Sequence, residues 1–343
     1  MDSTILLFLA QDGILNGAIY ALLAVAFIIL FSVTRIIFIP QGDFVAYAGL
    51  TLSALERGQT PGSVWVLVSC GVIAGGLEMI RALRAGRSRE YWKIVTGYLL
   101  YPCAIAGLQW SGIGTSTDVS RLLLTLAIVV PLGPYIYVIF FKGLANSSIL
   151  TLLIVSVGVH WTMTGVALLS FGAEGYRTTA MLHSDLEFGS MVLSSQGIAV
   201  LVLTACVMLL LYLFFNRSIE GKALRATAIS TRGAGLVGIS PESAGMKAFL
   251  MASSIGAVSG ILISPITTLY YDSGFLIGLK GFVAAIIGGF ASYPAAVVGA
   301  IGVGLAEAFS SFWASALKDA IVFGLVIPVL LWRSIFFPHP EEE

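Results

Sequence analysis

The chain has 343 residues, with 18 basic and 18 acidic side chains, a formal net charge of zero, and 10% charged against 58% hydrophobic residues. A soluble domain carries about 25% charged residues, and a mean hydropathy of +0.97 excludes that class. The neutral balance gives no electrostatic ground for a nucleic-acid partner.

The first residues, "MDSTILLFLAQDG", place an acid and no base before a very short apolar run, which does not read as a cleaved signal peptide. From there apolar runs follow at 13–34, 63–80, 92–110, 121–141, 148–171, 191–215, 243–264, 294–312 and 316–333, with shorter ones at 44–56 and 276–290. A bilayer core needs roughly 20 apolar residues per helix, and lipid offers backbone polar groups no other partner. The pattern predicts an all-α polytopic membrane protein, one transmembrane domain over 1–343, with about nine full spans and two short broken or re-entrant segments. Both short segments carry breakers. "FIPQGDF" puts Pro40 and Gly42 before the first, and "GFLIGLKGFVAAIIGGFASYP" (274–294) holds five glycines and Lys280. Short, interrupted segments in the two halves of a membrane protein point to a transport pathway. Cys70, Cys103 and Cys206 all fall inside apolar runs without metal or disulfide spacing, so they read as small hydrophobes.

The segment 217–240, "RSIEGKALRATAISTRGAGLVGIS", holds four bases and one acid between two long apolar runs. If it is cytoplasmic and each span crosses, the cytoplasmic regions and their flanks carry 13 of the 18 basic residues, among them Arg35, Arg81, Lys142 and Arg333. By the positive-inside rule this orients the N-terminus outside and the C-terminus in the cytoplasm. "EGKALRATAIS" favours helix, and 223, 226, 227 and 230 form a small-residue stripe at helical spacing. Lys222 and Arg225 sit beside it to meet acids on a partner, and Gly233, Gly235 and Gly238 let the chain turn back. The segment reads either as a short docking helix or as a plain linker.

The run "GKALRATAISTRGAGLVGIS" resembles the cytoplasmic coupling loop of permease subunits from ABC importers, and most of all the branched-chain amino acid (LivH-type) permeases. "NGAIYALLAVAFIILFSVTRIIFIPQGDF" (16–44), "SILTLLIVSVGVHWTMTGVALLSFGAEGYRT" (148–178), "GLKGFVAAIIGGFASYPAAVVGAIGVGLAEAF" (278–309) and "KDAIVFGLVIPVLLWR" (318–333) are similar to that family's segments in order. The resemblance implies a permease moving solute by alternating access. It implies a second related permease, two ATPase subunits that hold the ATP and Mg, and an extracytoplasmic solute-binding protein facing the polar loop 171–190. The chain itself is then not an enzyme and binds no cofactor. The residues expected at the ATPase are Glu220, Gly221, Lys222, Ala223, Arg225, Ala226 and Gly238 within the coupling loop 217–241. The pathway candidates are Asn16, Gln41, Asp43, Lys280 and Glu307. Two departures bear on the solute. Phe38, Ile39, Pro40 and Gln41 stand where the family usually has Asn-Phe-Ala-His, and 81–130 is longer than the family's by roughly one helix and a loop.

Glu307 lies inside an apolar span, where a charge costs about 2.5–3.5 kcal/mol on insertion scales. It reads either as a pathway residue or as an interhelical packing bond. His160 is alone in a long span and reads as a hydrogen-bonded packing residue, with no second ligand at metal spacing. Arg35 and Asp43 are expected together at the cytoplasmic edge. Lys280 and Asp272 are expected on the outer surface. The only Gly-Lys pair, Gly221-Lys222, is followed by Ala, so the chain has no phosphate-binding loop for ATP. No nucleophile–base or paired-carboxylate arrangement is legible, so no catalytic or metal-ligating residue is assigned. The rival to the ABC reading is a stand-alone secondary transporter or channel.

Overall fold

The structure, a computed structural model, describes residues 3–86, 91–111, 117–145, 147–180, 186–188, 191–290 and 292–336. Its centre is α1 (Ser3–Thr34), a helix apolar on every face and buried all round from Ile19 to Leu30, as a helix enclosed by other membrane helices must be. Around it pack α9 (Ser195–Arg217), α12 (Pro241–Ile263), α13 (Ser273–Ile287) and α14 (Tyr293–Trp313). The contact of α1 with α14 is close. A Cβ on Gly304 would stand 2.5 Å from the backbone nitrogen of Gly17, so the two backbones touch without side chains between them. Small residues are how membrane helices gain dispersion contact when lipid removes the hydrophobic driving force.

Eight helices among the described residues are long and apolar enough to cross a membrane: Ile5–Thr34, Ser63–Arg84, Asp118–Leu144, Ile149–Phe171, Ser195–Arg217, Pro241–Ile263, Tyr293–Trp313 and Ser315–Trp332. The further span expected at 92–110 is helical throughout, as α4 (Tyr91–Ile94), a π-turn over Val95–Leu100 and α5 (Tyr101–Trp110). It is less apolar than the eight. The π-turn has a local cause. Pro102 has no N–H to give the carbonyl one turn back, and the Tyr101 N–H instead reaches the carbonyl of Thr96. This helix packs on α3 (Ser63–Arg84), and the Tyr101 hydroxyl donates to the carbonyl of Ala127, 2.8 Å away. It leans there on α6 (Asp118–Val129), which continues through α7 (Leu132–Ile136) and a second π-turn at Tyr137–Phe141. Residues 87–90 and 112–116, also in the longer stretch, lie outside the described set.

Both short segments are present as half-length helices, α2 (Asp43–Glu56) and α13. The chain leaves α1 at Arg35, which takes a left-handed φ of 58°, runs extended to Phe38, and tightens into a 3-10 turn at Ile39–Gly42 before α2 begins. Here the expectation of an edge loop fails. Phe38 is fully buried against Phe44, Phe141 and Phe249, and Gln41 and Asp43 are buried too. At the far end of α13 the chain again goes left-handed, at Gly289 (φ 65°) and Phe290 (φ 55°), and the Phe290 ring meets Phe31 of α1 at 5.0 Å.

The expected start of a span at 191 is also corrected. Leu186–Phe188 and Met191–Leu193 pair as a short antiparallel hairpin, with Leu186 opposite Leu193, and α9 begins only after Ser194 caps it. The polar loop before the hairpin is tied down in its described part. Tyr176 and Leu269 exchange both backbone hydrogen bonds at 2.9 Å, Arg177 donates to the Pro265 carbonyl at 2.8 Å, and Arg57 lies 3.5 Å over the Tyr176 ring. Residues 181–185, 189 and 190 of that loop lie outside the described set.

Candidate functional site

Two features stand out. The first is where the half-helices meet. Gly42 abuts α13 so closely that a Cβ there would stand 2.7 Å from the Cα of Gly278. From this contact the polar groups fan outward. The Ile39 N–H donates to Ser156 Oγ at 2.8 Å, which replaces the helical bond lost at the break. Gln41 Nε2 donates to the Ala252 carbonyl of α12 at 2.9 Å, while its buried Oε1 accepts nothing. Asp43 meets Nδ1 of His160, on α8 (Ile149–Phe171), at 2.8 Å, and the His160 ring stacks on Phe275 of α13 at 4.8 Å. His160 is thus a hydrogen-bonded residue as its solitude suggested. Its partner Asp43 makes no ion pair with Arg35, which is exposed and leans on Phe31. The reach to one edge pair failed because the break carries the chain inward after Arg35.

A second set lies behind α13. Lys280 is only 6% exposed, against the expectation of an outer-surface lysine. Its Nζ pairs with Glu307 Oε1 of α14 and stands 3.2 Å from Oδ1 of Asp319, on α15 (Lys318–Gly324). The Tyr20 hydroxyl of α1 donates to the other Glu307 oxygen at 2.5 Å. Four elements are joined through one lysine–glutamate pair, and the packing reading of Glu307 gains geometry that its isolation in the sequence concealed. Asp272 is exposed, as expected; Asn16 is half-buried on α1, one turn before Tyr20.

The second feature is the segment 217–240, which folds as two short helices rather than one. Ser218 accepts from the Gly221 N–H at 2.9 Å and starts α10 (Ile219–Ile229), and Ser230 accepts from the Gly233 N–H at 3.0 Å and starts α11 (Thr231–Leu236). Each serine satisfies a first-turn donor. Gly221 touches α9, where a Cβ would stand 2.8 Å from the Cα of Phe215. Gly238 turns the chain toward α12 with φ 85°; Gly233 and Gly235 are helical instead. The small-residue stripe is only partly outward. Thr227 is buried with Gly221 and Leu224, while Ala223 and Ala226 are half-buried. Glu220 pairs with Lys247 of α12, and Arg225 donates to Asn216 at 3.0 Å. What faces out is Lys222 and a set of bulky apolar residues missed in the sequence: Ile219 (85% exposed), Ile229 (80%) and Leu236 (90%). Their signal was there, as β-branched and leucine residues at the ends of a polar run.

The family described as "Branched-chain amino acid transport system / permease component" matches residues 9–330. Among curated relatives, the high-affinity branched-chain amino acid transport system permease protein BraD of Pseudomonas aeruginosa is 29% identical over 304 residues, 85% of this chain and 97% of BraD. The corresponding LivH of Escherichia coli strain K12 is 29% identical over 293 residues, 82% of this chain and 92% of LivH. A probable LivH of Methanocaldococcus jannaschii is 25% identical over 195 residues, 54% of this chain and 61% of that protein. A match that runs from α1 to α16 (Val326–Phe336) takes in both half-helices and the capped helix pair. The chain belongs to the family of branched-chain amino acid transport system permease components.

Proposed function

We propose that this chain is the membrane-spanning permease subunit of an ABC importer for branched-chain amino acids or a related small polar or anionic solute. It sits in the bacterial cytoplasmic membrane with the N-terminus outside and the C-terminus in the cytoplasm, beside a second related permease. Two ATPase subunits, which hold the ATP and Mg, bind on the face of α10 and α11. A solute-binding protein docks on the opposite face, where the 172–180 segment is braced on 264–270. The names of BraD and LivH support the solute class.

The observation that carries the reading is the α10–α11 pair. Two serine caps order it, a buried face fixes it to α9 and α12, and its outer face presents Ile219, Lys222, Ile229 and Leu236. An exposed apolar patch flanked by charge marks a protein interaction site. In the mechanism, ATP binding draws the ATPase pair together, the α10–α11 pair moves with it, and α12 passes the motion to the half-helices. Gln41 and Asp43 at the α2 start are the pathway candidates, buried in this state, while Lys280 and Glu307 hold α13 to its neighbours.

The test is a pull-down of the tagged chain from native membranes in mild detergent, with mass spectrometry and an ATPase assay of the eluate. The wild type brings down ATPase subunits, and the R225E/I229E variant loses them while still inserting in the membrane. A single species without ATPase would favour a stand-alone secondary transporter.

A further inference from the structure

On the membrane face that carries α10 and α11, a cavity of about 380 Å³ opens between the end of α1, the start of α8, α11 and the start of α12. Its charged lining consists of Arg35, Arg232 and Glu242. Glu242 is already balanced. Lys142 lies 3.2 Å from it and also bridges both oxygens of Glu78, which Arg81 meets from the other side. Those four charges cancel. Arg35 and Arg232 have no ion pair among the described residues, so two guanidiniums on one cavity lack a counter-ion.

The backbone adds to the same sign. Ser147 and Ile149 at the start of α8, and Pro241 and Glu242 at the start of α12, line the cavity. Two long helices therefore point N-terminal ends toward it, with first-turn donors and a partial positive charge. Guanidiniums fork onto phosphate oxygens in a bidentate geometry. The rest of the wall is mixed: Thr34, Tyr137, Ser147 and Thr231 stand beside an apolar part that includes Phe141 and Leu152. On α8 the exposed Ile149 and Leu150 continue that surface along the helix toward the bilayer. A free ion would use the charged and polar groups and leave the Phe141 and Leu152 part bare, whereas an amphiphile would cover both.

We propose that this cavity binds the phosphate of an anionic phospholipid headgroup, held by Arg35 and Arg232, with an acyl chain running along the start of α8. The site joins α1, where the chain breaks toward α2, to the helix pair that meets the ATPase. An anionic lipid would thus brace the joint between them. The proposal rests on the membrane-spanning reading of the chain but not on its orientation or on the ATPase partnership.

The test uses the full chain in detergent and follows its thermal unfolding with added phosphatidylglycerol, phosphatidylcholine or inorganic phosphate. Phosphatidylglycerol is expected to raise the midpoint by at least about 2 °C, phosphatidylcholine and phosphate not at all. The R35Q/R232Q variant should lose that shift, and a variant on another part of the chain, Lys318→Gln, should keep it. Both arginines are exposed, so the double variant is expected to fold, with gel filtration as the check. Equal shifts from both lipids, a shift reproduced by phosphate alone, or a shift that survives R35Q/R232Q would each overturn the proposal. So would lipid-independent loss of ATPase binding as the only effect of R232Q, which would assign Arg232 to the protein partner instead.

Discussion

Lys280 shows how a membrane protein keeps a charge in its core. The ammonium has Glu307 against it and Asp319 at 3.2 Å, and Tyr20 bonds the far oxygen of Glu307. Breaking a buried pair by removing one partner leaves an uncompensated charge and costs about 3–5 kcal/mol, whereas replacing both members together is often close to neutral. Lys280→Met should therefore lower the unfolding midpoint in detergent sharply, and the K280M/E307Q double variant should recover much of the loss. A double variant as unstable as the single one would mean that the pair is not what holds α13. None of this was legible in the sequence. Lys280 and Glu307 are 27 residues apart, and a lysine beside a glycine-rich break looked like an outer-surface group. Asp43 and His160 are 117 apart. Partners that distant are chosen by the fold, and only the solitude of each polar residue in an apolar run gave notice of a bond.

At the scale of elements, apolar length was the legible quantity. Backbone groups in lipid leave a continuous apolar run no alternative to helix, so the spans and the two half-helices follow from the sequence. Their ends and faces do not, because they depend on neighbours: the hairpin that delays α9, the inward course of Phe38–Gly42, and the inward side of Thr227. The contact of α2 with α13 depends on Gly42 in the same way. Gly42→Val should destabilise the fold by at least about 1–3 kcal/mol through overpacking and abolish uptake. Gly76→Val on α3, where a Cβ meets nothing within 4 Å, should leave both intact. Comparable losses from the two variants, measured by solute uptake and detergent gel filtration, would remove the special place given to Gly42. In the segment 217–240, the helix-favouring run 220–230 announced helix, and the structure divides the segment in two because Ser230 caps afresh.

For the whole molecule, the sequence offers a proposal about sidedness. The expected crossing pattern puts 13 of the 18 basic residues on the side of the segment 217–240, and by the positive-inside rule we propose that side as cytoplasmic. With Cys70, Cys103 and Cys206 replaced by alanine, a membrane-impermeant maleimide on intact cells should label Glu174→Cys and spare Lys222→Cys. The reverse pattern would invert the proposed orientation. The outer layer was not legible. α9 and the Ser315–Trp332 stretch leave most of their apolar surface uncovered, at 17% and 6% buried. Hydropathy does not tell a lipid-facing helix from one facing another protein chain.

The left-handed residues at Arg35 and at Gly289–Phe290 have a mechanical meaning. Each lies at the connection that α2 or α13 makes on one side of the molecule, and Phe31 against Phe290 brings the two connections together. Since Gly42 leaves no gap between α2 and α13, neither can swing alone. The two half-helices are therefore coupled as one packed unit, and the far end of α2 is tied to the braced 172–180 segment through Glu56, which accepts from the Thr179 N–H at 3.0 Å. A shift at either turn would therefore be felt by both half-helices and, through Glu56, by the 172–180 segment at the other side of the molecule.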